Sequence, residues 1–497
     1  MELLRGEGMK TYNDLLAVGE SDRARMDFVR ECITEHEASA LFNIAKIGNE
    51  YMSGRNTTIV NLQKTLVTKT GQVVADKWSP NHKTASNFFN RFVTQETQYL
   101  LGNGVTWEKE STAKKLGDDF DIRLQEAAKA ALAGGVAFGF FDKDHIEIFS
   151  LAGTPADPTY FKPLYDENNG SLRAGIRFWK LDTNKPLRAT LFEEDGFTEY
   201  IWNKREAGDE IAEDGMIIQP KRAYKLNIST TQADGMKIYG GENYPSFPII
   251  PLWGNPLHQS ELIGLREKID AYDLLQNGFV NDLDSAQIYW IIKNANGADN
   301  EELAQFLDQL KSMKAANTGE LTDVQPVTVD IPYNAREVIL NRLERQLYKD
   351  YKAMDSDAIA GGAVTATQIK AAYEPMEIKS SEFEGCVLDF LYGILNVAGI
   401  SDEKPSFTRT RIVNTQEEVQ MVLSAASFLG EEYVIRKVLQ LLGDGDKADK
   451  IIDDRAADEM ARMQAALVMA GGDMNGYSTS LNGNADTTAS SGSGAGV

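Results

Sequence analysis

Tyr244-Pro-Ser-Phe-Pro-Ile-Ile-Pro-Leu-Trp-Gly-Asn-Pro256 leads, after a short polar link, into Ser260-Glu-Leu-Ile-Gly-Leu-Arg-Glu-Lys-Ile-Asp-Ala-Tyr-Asp-Leu-Leu-Gln-Asn-Gly-Phe-Val-Asn-Asp-Leu-Asp284. The first half reads as a proline-rich strand and the second as one long amphipathic helix. Apolar residues recur at Leu262, Leu265, Ile269, Tyr272, Leu275, Phe279 and Leu283, three or four apart, so one face is apolar throughout. Arg266, Asp270, Asp273, Asn277 and Asn281 fall on the opposite face, which is expected to be exposed. At ~1.5 Å per residue the helix is on the order of 35 Å long. After an insertion comes a partner helix, with Ile339, Leu343, Leu347, Tyr351 and Met354 on one face. Two long helices bracketing a small insertion read as a rigid strut and not as a pocket.

Composition narrows the class. The chain has 497 residues, enough for two to four domains with substantial cores, and 42% hydrophobic with 25% charged content is ordinary for a globular protein. No apolar run approaches the ~20 residues that span a bilayer, and Met1 to Lys10 carries no signal-peptide apolar core. Cys32 and Cys386 lie far apart in sequence and form no metal spacing, so inert thiols in a reducing compartment are expected. The net charge of -23 argues against a tight nucleic-acid-binding module, because such proteins neutralise phosphates with cations.

Signs of catalysis are sparse. There is no G-x-x-x-x-G-K-[ST] phosphate loop, and Gly134-Gly135 reads as a helix-to-strand turn. His36, His82, His145 and His258 are scattered without metal-ligand spacing. Asp118-Asp-Phe-Asp121 and Asp444-Gly-Asp446 read as solvated turns or helix starts, since the calcium-loop pattern is incomplete. No cofactor is implied. One basic cluster stands out: Arg336, Arg342, Arg345, Lys349 and Lys352 lie on or beside the second strut. Arg345, Lys349 and Lys352 are spaced to share a helix face. Asp270, Asp273 and Asp284 on the first strut form a complementary set.

Several stretches together resemble a known family. The run Ile269-Asp-Ala-Tyr-Asp continuing to Asn281-Asp-Leu-Asp looks like the first stem helix of tailed-bacteriophage portal proteins, specifically those of long-tailed phages with non-contractile tails. Upstream, Asn87-Phe-Phe-Asn-Arg-Phe-Val-Thr-Gln-Glu-Thr-Gln-Tyr-Leu-Leu-Gly-Asn-Gly-Val resembles the family's early helix and turn. Leu124 to Phe141 resembles the helix, glycine turn and strand that follow. Phe161-Lys-Pro-Leu-Tyr-Asp and Ala174-Gly-Ile-Arg-Phe-Trp resemble two of its strands.

The resemblance spans roughly residues 80 to 400 and implies an α+β portal-type fold. In it, residues 1–258 form the first part of a mixed α/β wing, 259–284 the first stem helix and 285–335 a small α/β clip. Residues 336–354 form the second stem helix and 355–366 a tunnel loop. Residues 367–414 are a helix kinked at Pro375 and the return to the wing, 415–470 a helical crown, and 471–497 a disordered tail.

By the same resemblance, Asp355, Ser356, Asp357, Ala358, Ile359, Ala360, Gly361, Gly362, Ala363, Val364 and Thr365 project toward DNA in a central channel. Small side chains let about twelve copies crowd one axis, and an acidic wall that does not grip phosphates suits a conduit. The implied partners are further copies of the chain, weakly and non-specifically held double-stranded DNA, the terminase large subunit, a head-completion adaptor, and scaffold and major capsid proteins. In such a ring, Arg345, Lys349 and Lys352 are expected to pair with Asp270, Asp273 and Asp284 of the neighbour's first strut, with a channel-facing role as the alternative. No membrane is involved. The implied location is the portal vertex of the virion, with assembly in the host cytoplasm. Two other readings stay open: a carboxylate-based hydrolase of α+β class, whose acid pair needs no linear motif, and another minor head protein of a phage.

Overall fold

The computed structural model describes residues 9–67, 71–76, 79–154, 157–207, 210–231, 237–284, 288–293, 323–328, 333–355, 366–410, 415–442 and 447–469. It is a mixed helix and sheet structure. The N-terminal helices are α1 (Tyr12–Val18), α2 (Asp22–Ala38), α3 (Ala40–Met52) and α4 (Thr57–Val60). A hairpin, β1 (Thr65–Val67) and β2 (Val73–Ala75), precedes α5 (Phe88–Leu101), β3 (Val105–Thr106), α6 (Glu110–Leu116) and α7 (Phe120–Gly134). Strands then dominate: β4 (Val136–Asp142), β5 (His145–Ser150), β6 (Tyr160–Tyr165), β7 (Leu172–Trp179), β8 (Leu187–Glu193), β9 (Gly196–Ala207), β10 (Glu210–Arg222), β11 (Lys225–Thr231), β12 (Lys237–Glu242) and β13 (Ile249–Trp253). After α8 (Arg266–Asp284) come β14 (Ile288–Lys293), β15 (Asp323–Thr328), α9 (Tyr333–Tyr351), α10 (Ala366–Val397) and β16 (Ser406–Phe407). The last helices are α11 (Thr415–Ser424), α12 (Glu431–Leu442) and α13 (Ala448–Met469).

Two compact units divide the chain, residues 1–361 with 371–411 and residues 362–370 with 412–497. In the first, β6 to β10 form a five-stranded antiparallel meander in sequential order, and β13-β4-β5 form a second sheet. The turn-type sequences Asn168-Asn-Gly and Glu194-Asp-Gly join β6 to β7 and β8 to β9. The run Arg222-Ala-Tyr-Lys-Leu reads as one strand but is broken between β10 and β11. There Tyr224 turns inward and its hydroxyl donates to the Glu193 carbonyl at 2.5 Å.

Helix α2 covers one face of the meander. Its Phe28, Val29, Cys32 and Ile33, spaced three and four apart, pack on Leu164, Ile176, Phe178, Leu191 and Tyr200. Burial pushes the Cys32 thiol up to about 12, so it stays protonated, as an inert core thiol should. A larger core joins α5, α7, α10 and the β13-β4-β5 sheet. Its central strand β4 is buried on both sides, which explains the unbroken Val136-Ala-Phe-Gly-Phe-Phe run.

His36 sits between these layers, 1% exposed, with its Nε2 2.8 Å from the Leu151 carbonyl oxygen. A carbonyl only accepts, so Nε2 carries the proton. Burial lowers the His36 pKa to about 4, below the ordinary 6.5. Because the folded value is the lower one, the unfolded chain binds the extra proton as pH falls between them. Stability is therefore full above about 6.5 and is lost as pH drops toward 4, by about 3 kcal/mol from this residue. Urea midpoints between pH 7 and pH 4 should fall less steeply in His36→Gln than in the wild type. Parallel pH profiles would refute this.

The insertion between the struts contributes β14 and β15, which pair antiparallel from Ile288↔Thr328 to Lys293↔Asp323. Glu301–Met313 reads as an amphipathic helix and lies outside the described residues. The second unit contains α11, α12 and α13, within the 415–470 stretch expected to be helical. Arg436 meets Asp449 at 2.6 Å, and Arg455 pairs with Glu431. Thr415-Gln-Glu-Glu, which reads as a capping box, Asp444-Gly-Asp446 and the tail from 470 onward lie outside the described side chains or residues. Pro375 lies inside α10, which runs as a single helix from Ala366 to Val397, so Phe383 to Val397 continues the helix that begins before the proline.

Candidate functional site: the paired struts and the roots of the loop

Helices α8 and α9 pair antiparallel within one chain. Lys268 bonds Asp350 at one end, and Arg336 meets Asp282 at 2.6 Å at the other. Burial of the apolar residues is confined to the start of α8, at Ile269, and the turn leading into it, at Leu262 and Leu265, while Leu283 at the far end is 59% exposed. Further along, the buried residues are polar: Asp273, Asn277 and Asn281, at 0%, 1% and 5% exposure.

These three side chains form a ladder that holds the segment 82–86. Asp273 Oδ1 accepts from the Ser86 N–H at 2.9 Å, Asn277 Oδ1 from the Thr84 N–H at 2.7 Å, and Asn281 Oδ1 from the His82 N–H at 2.7 Å. Asn277 Nδ2 returns a bond to the Thr84 carbonyl at 2.7 Å. The geometry follows from two repeats. Four helical residues rise ~6 Å, and two extended residues advance ~6.6 Å, so every fourth helix residue meets every second strap residue. Asp273 Oδ2 also accepts from Asn56 Nδ2 at 2.7 Å. Burial raises the Asp273 pKa, opposed by its bonds from Ser86 and Asn56.

This corrects the expected exposed acidic face. Asp273 has no surface to offer a neighbour. Asp270 accepts from the Tyr51 hydroxyl and, at 2.8 Å, from Thr58 Oγ1. Asp284 bonds His82 Nε2 at 2.8 Å. Periodicity places these residues together but does not reveal that another part of the same chain covers them.

The basic set is also revised. Arg345 and Lys349 are exposed on α9, but Lys352 lies beyond the helix with φ +63°. Its N–H donates to the Lys349 carbonyl at 3.2 Å, and the Ala353 N–H to that of Tyr348 at 2.9 Å, a left-handed helix stop. Lys352 therefore leaves the shared face. Of the expected loop, Asp355 is described and half-buried. Ser356 to Thr365 lie outside the described residues.

Both roots of that loop rest on α5. On the near side, Arg91 Nη1 donates to the Tyr348 hydroxyl at 2.8 Å, Phe92 stacks on Tyr351 at 5.0 Å, and Gln95 Nε2 donates to the Met354 carbonyl at 3.0 Å. On the far side, Tyr99 stacks on Tyr373 at 5.6 Å and its hydroxyl donates to Glu377.

Between the two roots lies a buried ionic group. Lys379 Nζ is 3.1 Å from Glu96 Oε2 and 2.7 Å from Glu261 Oε2, and stands 3.2 Å from the centroid of the Tyr351 aromatic ring. The Tyr351 hydroxyl donates to Glu96 Oε2 at 2.6 Å. Burial raises the Glu96 pKa, opposed by Lys379. Sequence reasoning does not pick out Glu96 or Lys379. The available signal is a charge on an apolar stripe: Glu96 follows Phe92 and Val93, and Lys379 lies between Met376 and Phe383.

Among the described residues, no group of three or more histidines, cysteines or carboxylates is placed to hold a metal ion. No helix among them is long and apolar enough to cross a membrane.

Residues 33–466 match the model of the family described as phage portal protein, SPP1 Gp6-like. The portal protein of Bacillus phage SPP1 is 24% identical over 443 residues, covering 84% of this chain and 83% of that protein. The portal protein of Clostridium phage phiCD119 is 27% identical over 203 residues, 39% of this chain, and the match spans 45% of that relative. Among solved structures, a chain in the neck of the native GTA particle with C12 symmetry aligns at TM-score 0.36 and 11% identity, over 71% of this chain and 89% of that one. One in the neck of the empty GTA particle with C6 symmetry aligns at TM-score 0.38 and 11% identity, over 72% and 90%. With the match running through both struts, the antiparallel sheets and the C-terminal helices, the chain belongs to the phage portal protein family, SPP1 Gp6-like.

Proposed function

We propose that this chain is a structural, non-enzymatic portal, a homo-oligomer of about twelve copies around a channel for double-stranded DNA in a phage capsid. The observation that carries the reading is the family match over residues 33–466. The self-paired struts support it, because α8 and α9 make a stiff hairpin that needs no ligand. In this reading β14 and β15 belong to a clip where tail adaptors and the terminase dock, and α11 to α13 belong to a crown. The segment 355–365 contacts the duplex weakly through backbone and small side chains. Arg345 and Lys349, exposed on α9, face the channel or the next subunit.

The two carboxylates that burial most disturbs, Glu96 and Asp273, are each 0% exposed, which does not suit the attacking pair of a hydrolase. Negative-stain electron microscopy with native mass spectrometry tests the proposal. Rings of about a dozen subunits with an axial opening wider than a ~20 Å duplex are expected, a width set by B-DNA dimensions. A protein that stays monomeric both alone and with its scaffold present would overturn it.

A further inference from the structure

We propose that Lys379 is a positioning residue that locks the end of α9 and the early part of α10 in a single register, using Glu96, Glu261 and Tyr351 as its fixed partners. The ammonium is almost wholly enclosed, yet it touches three separate pieces of chain. Glu96 lies on α5, Glu261 in the turn that seats α8, and Tyr351 at the last residue of α9. Tyr351 closes the circuit by donating to the same Glu96 oxygen that faces Lys379. Glu261 is held in turn, its Oε1 accepting from Asn255 Nδ2 at 2.7 Å.

Why a charge should stand here is a question of specificity. Burying ions is costly, and apolar packing of the same volume is often as stable or more so. Aliphatic side chains, however, would tolerate α10 sliding along α5. The ionic group does not. One turn of slippage, ~5.4 Å, leaves one buried and one partly buried carboxylate without their cation and strips the cation from its aromatic ring. The surroundings sharpen this: Glu96 Oε1 and the Ser380 hydroxyl have no hydrogen-bond partner among the described residues, so Lys379 is the main compensation for Glu96. The lock is placed where the chain leaves α9 and where it re-enters the same core, so it sets the spacing of the two roots. That this spacing aims a DNA-contacting loop rests on the portal reading; the lock itself does not.

Hydrogen–deuterium exchange on the full-length protein tests it. Lys379→Met alone strands the buried Glu96 and the partly buried Glu261 and risks misfolding, so the informative variant is Lys379→Met/Glu96→Gln/Glu261→Gln, which removes all three charges at nearly constant volume. Exchange in peptides covering 343–355 and 371–383 should rise at least tenfold, with the β7–β9 meander unchanged. Lys379→Arg, which keeps the charge, should hold rates at both roots to within about threefold of wild type. Unchanged rates at both roots in the triple variant would overturn the lock. So would an equal rise in the meander, since that marks general destabilisation. Electron microscopy of the same wild-type sample separates the two readings: a lack of rings removes the portal function and leaves the exchange result standing.

Discussion

Asp273→Ala should destabilise the first unit by about 3 to 4 kcal/mol, the largest loss expected from any single truncation on the struts. The carboxylate satisfies the Ser86 N–H and the Asn56 amide inside a site with no exposed surface. Removing it leaves two buried donors unpaired, each costing about 1 to 3 kcal/mol. Part of that loss is offset, because the buried carboxylate is itself disfavoured, as its raised pKa shows. Asp273→Asn should cost much less. Its Oδ1 still accepts from Ser86, although its amide then faces that of Asn56. Urea unfolding gives the energy, and amide exchange at residues 82–86 gives the location. A loss below about 1 kcal/mol with the strap still protected would show that water replaces the ladder.

Gly48→Ala should cost about 3 kcal/mol, from over-packing that the backbone must absorb. A β-carbon at Gly48 would stand 2.0 Å from the Ala133 carbonyl oxygen and 2.9 Å from its carbon. Both are backbone atoms of α7, so no rotamer relieves the clash. The same carbonyl accepts from Ser260 Oγ at 2.6 Å, and Ser260 Oγ in turn accepts from the Leu262 N–H at 3.2 Å. Separating α3 from α7 therefore also disturbs the turn that seats the first strut. Gly385→Ala is the matched control. It sits in α10 with nothing within 4 Å of its added carbon, so it should gain about 0.5 kcal/mol or more through a less flexible unfolded chain. Thermal melts of the two variants should move in opposite directions. If both fall alike, helix–helix contact at Gly48 is not the cause.

Much of this protein is legible one element at a time. The 3.6-residue period locates α9 to within three residues and the end of α8, although α8 starts at Arg266 and not at the expected 259. Turn residues locate the β6–β7 and β8–β9 hairpins, and Gly134-Gly135 is the helix-to-strand turn that its sequence suggests, with Gly135 at φ +92°. Each of these signals is local, because a helix face or a hairpin turn is set by residues a few positions apart. The family resemblance is likewise a matter of ordered short stretches, and the family match over residues 33–466 bears it out.

What does not show in the sequence is which face of each strut is covered, and by what. Hydropathy assigns Asp273, Asn277 and Asn281 to solvent, since an isolated helix exposes its polar side. In the folded chain an extended strap from nearly two hundred residues earlier supplies the backbone donors they need. The same holds for Glu96 and Lys379, which as single letters are surface charges and in space are one buried ionic group. A polar side chain tolerates burial only if a partner meets it, and that partner is chosen by the tertiary structure. The sequence by itself determined the elements, the acidic balance and the family. Only the tertiary structure decided that Asp270, Asp273 and Asp284 are satisfied within the chain, and that both roots of the loop stand on a single helix.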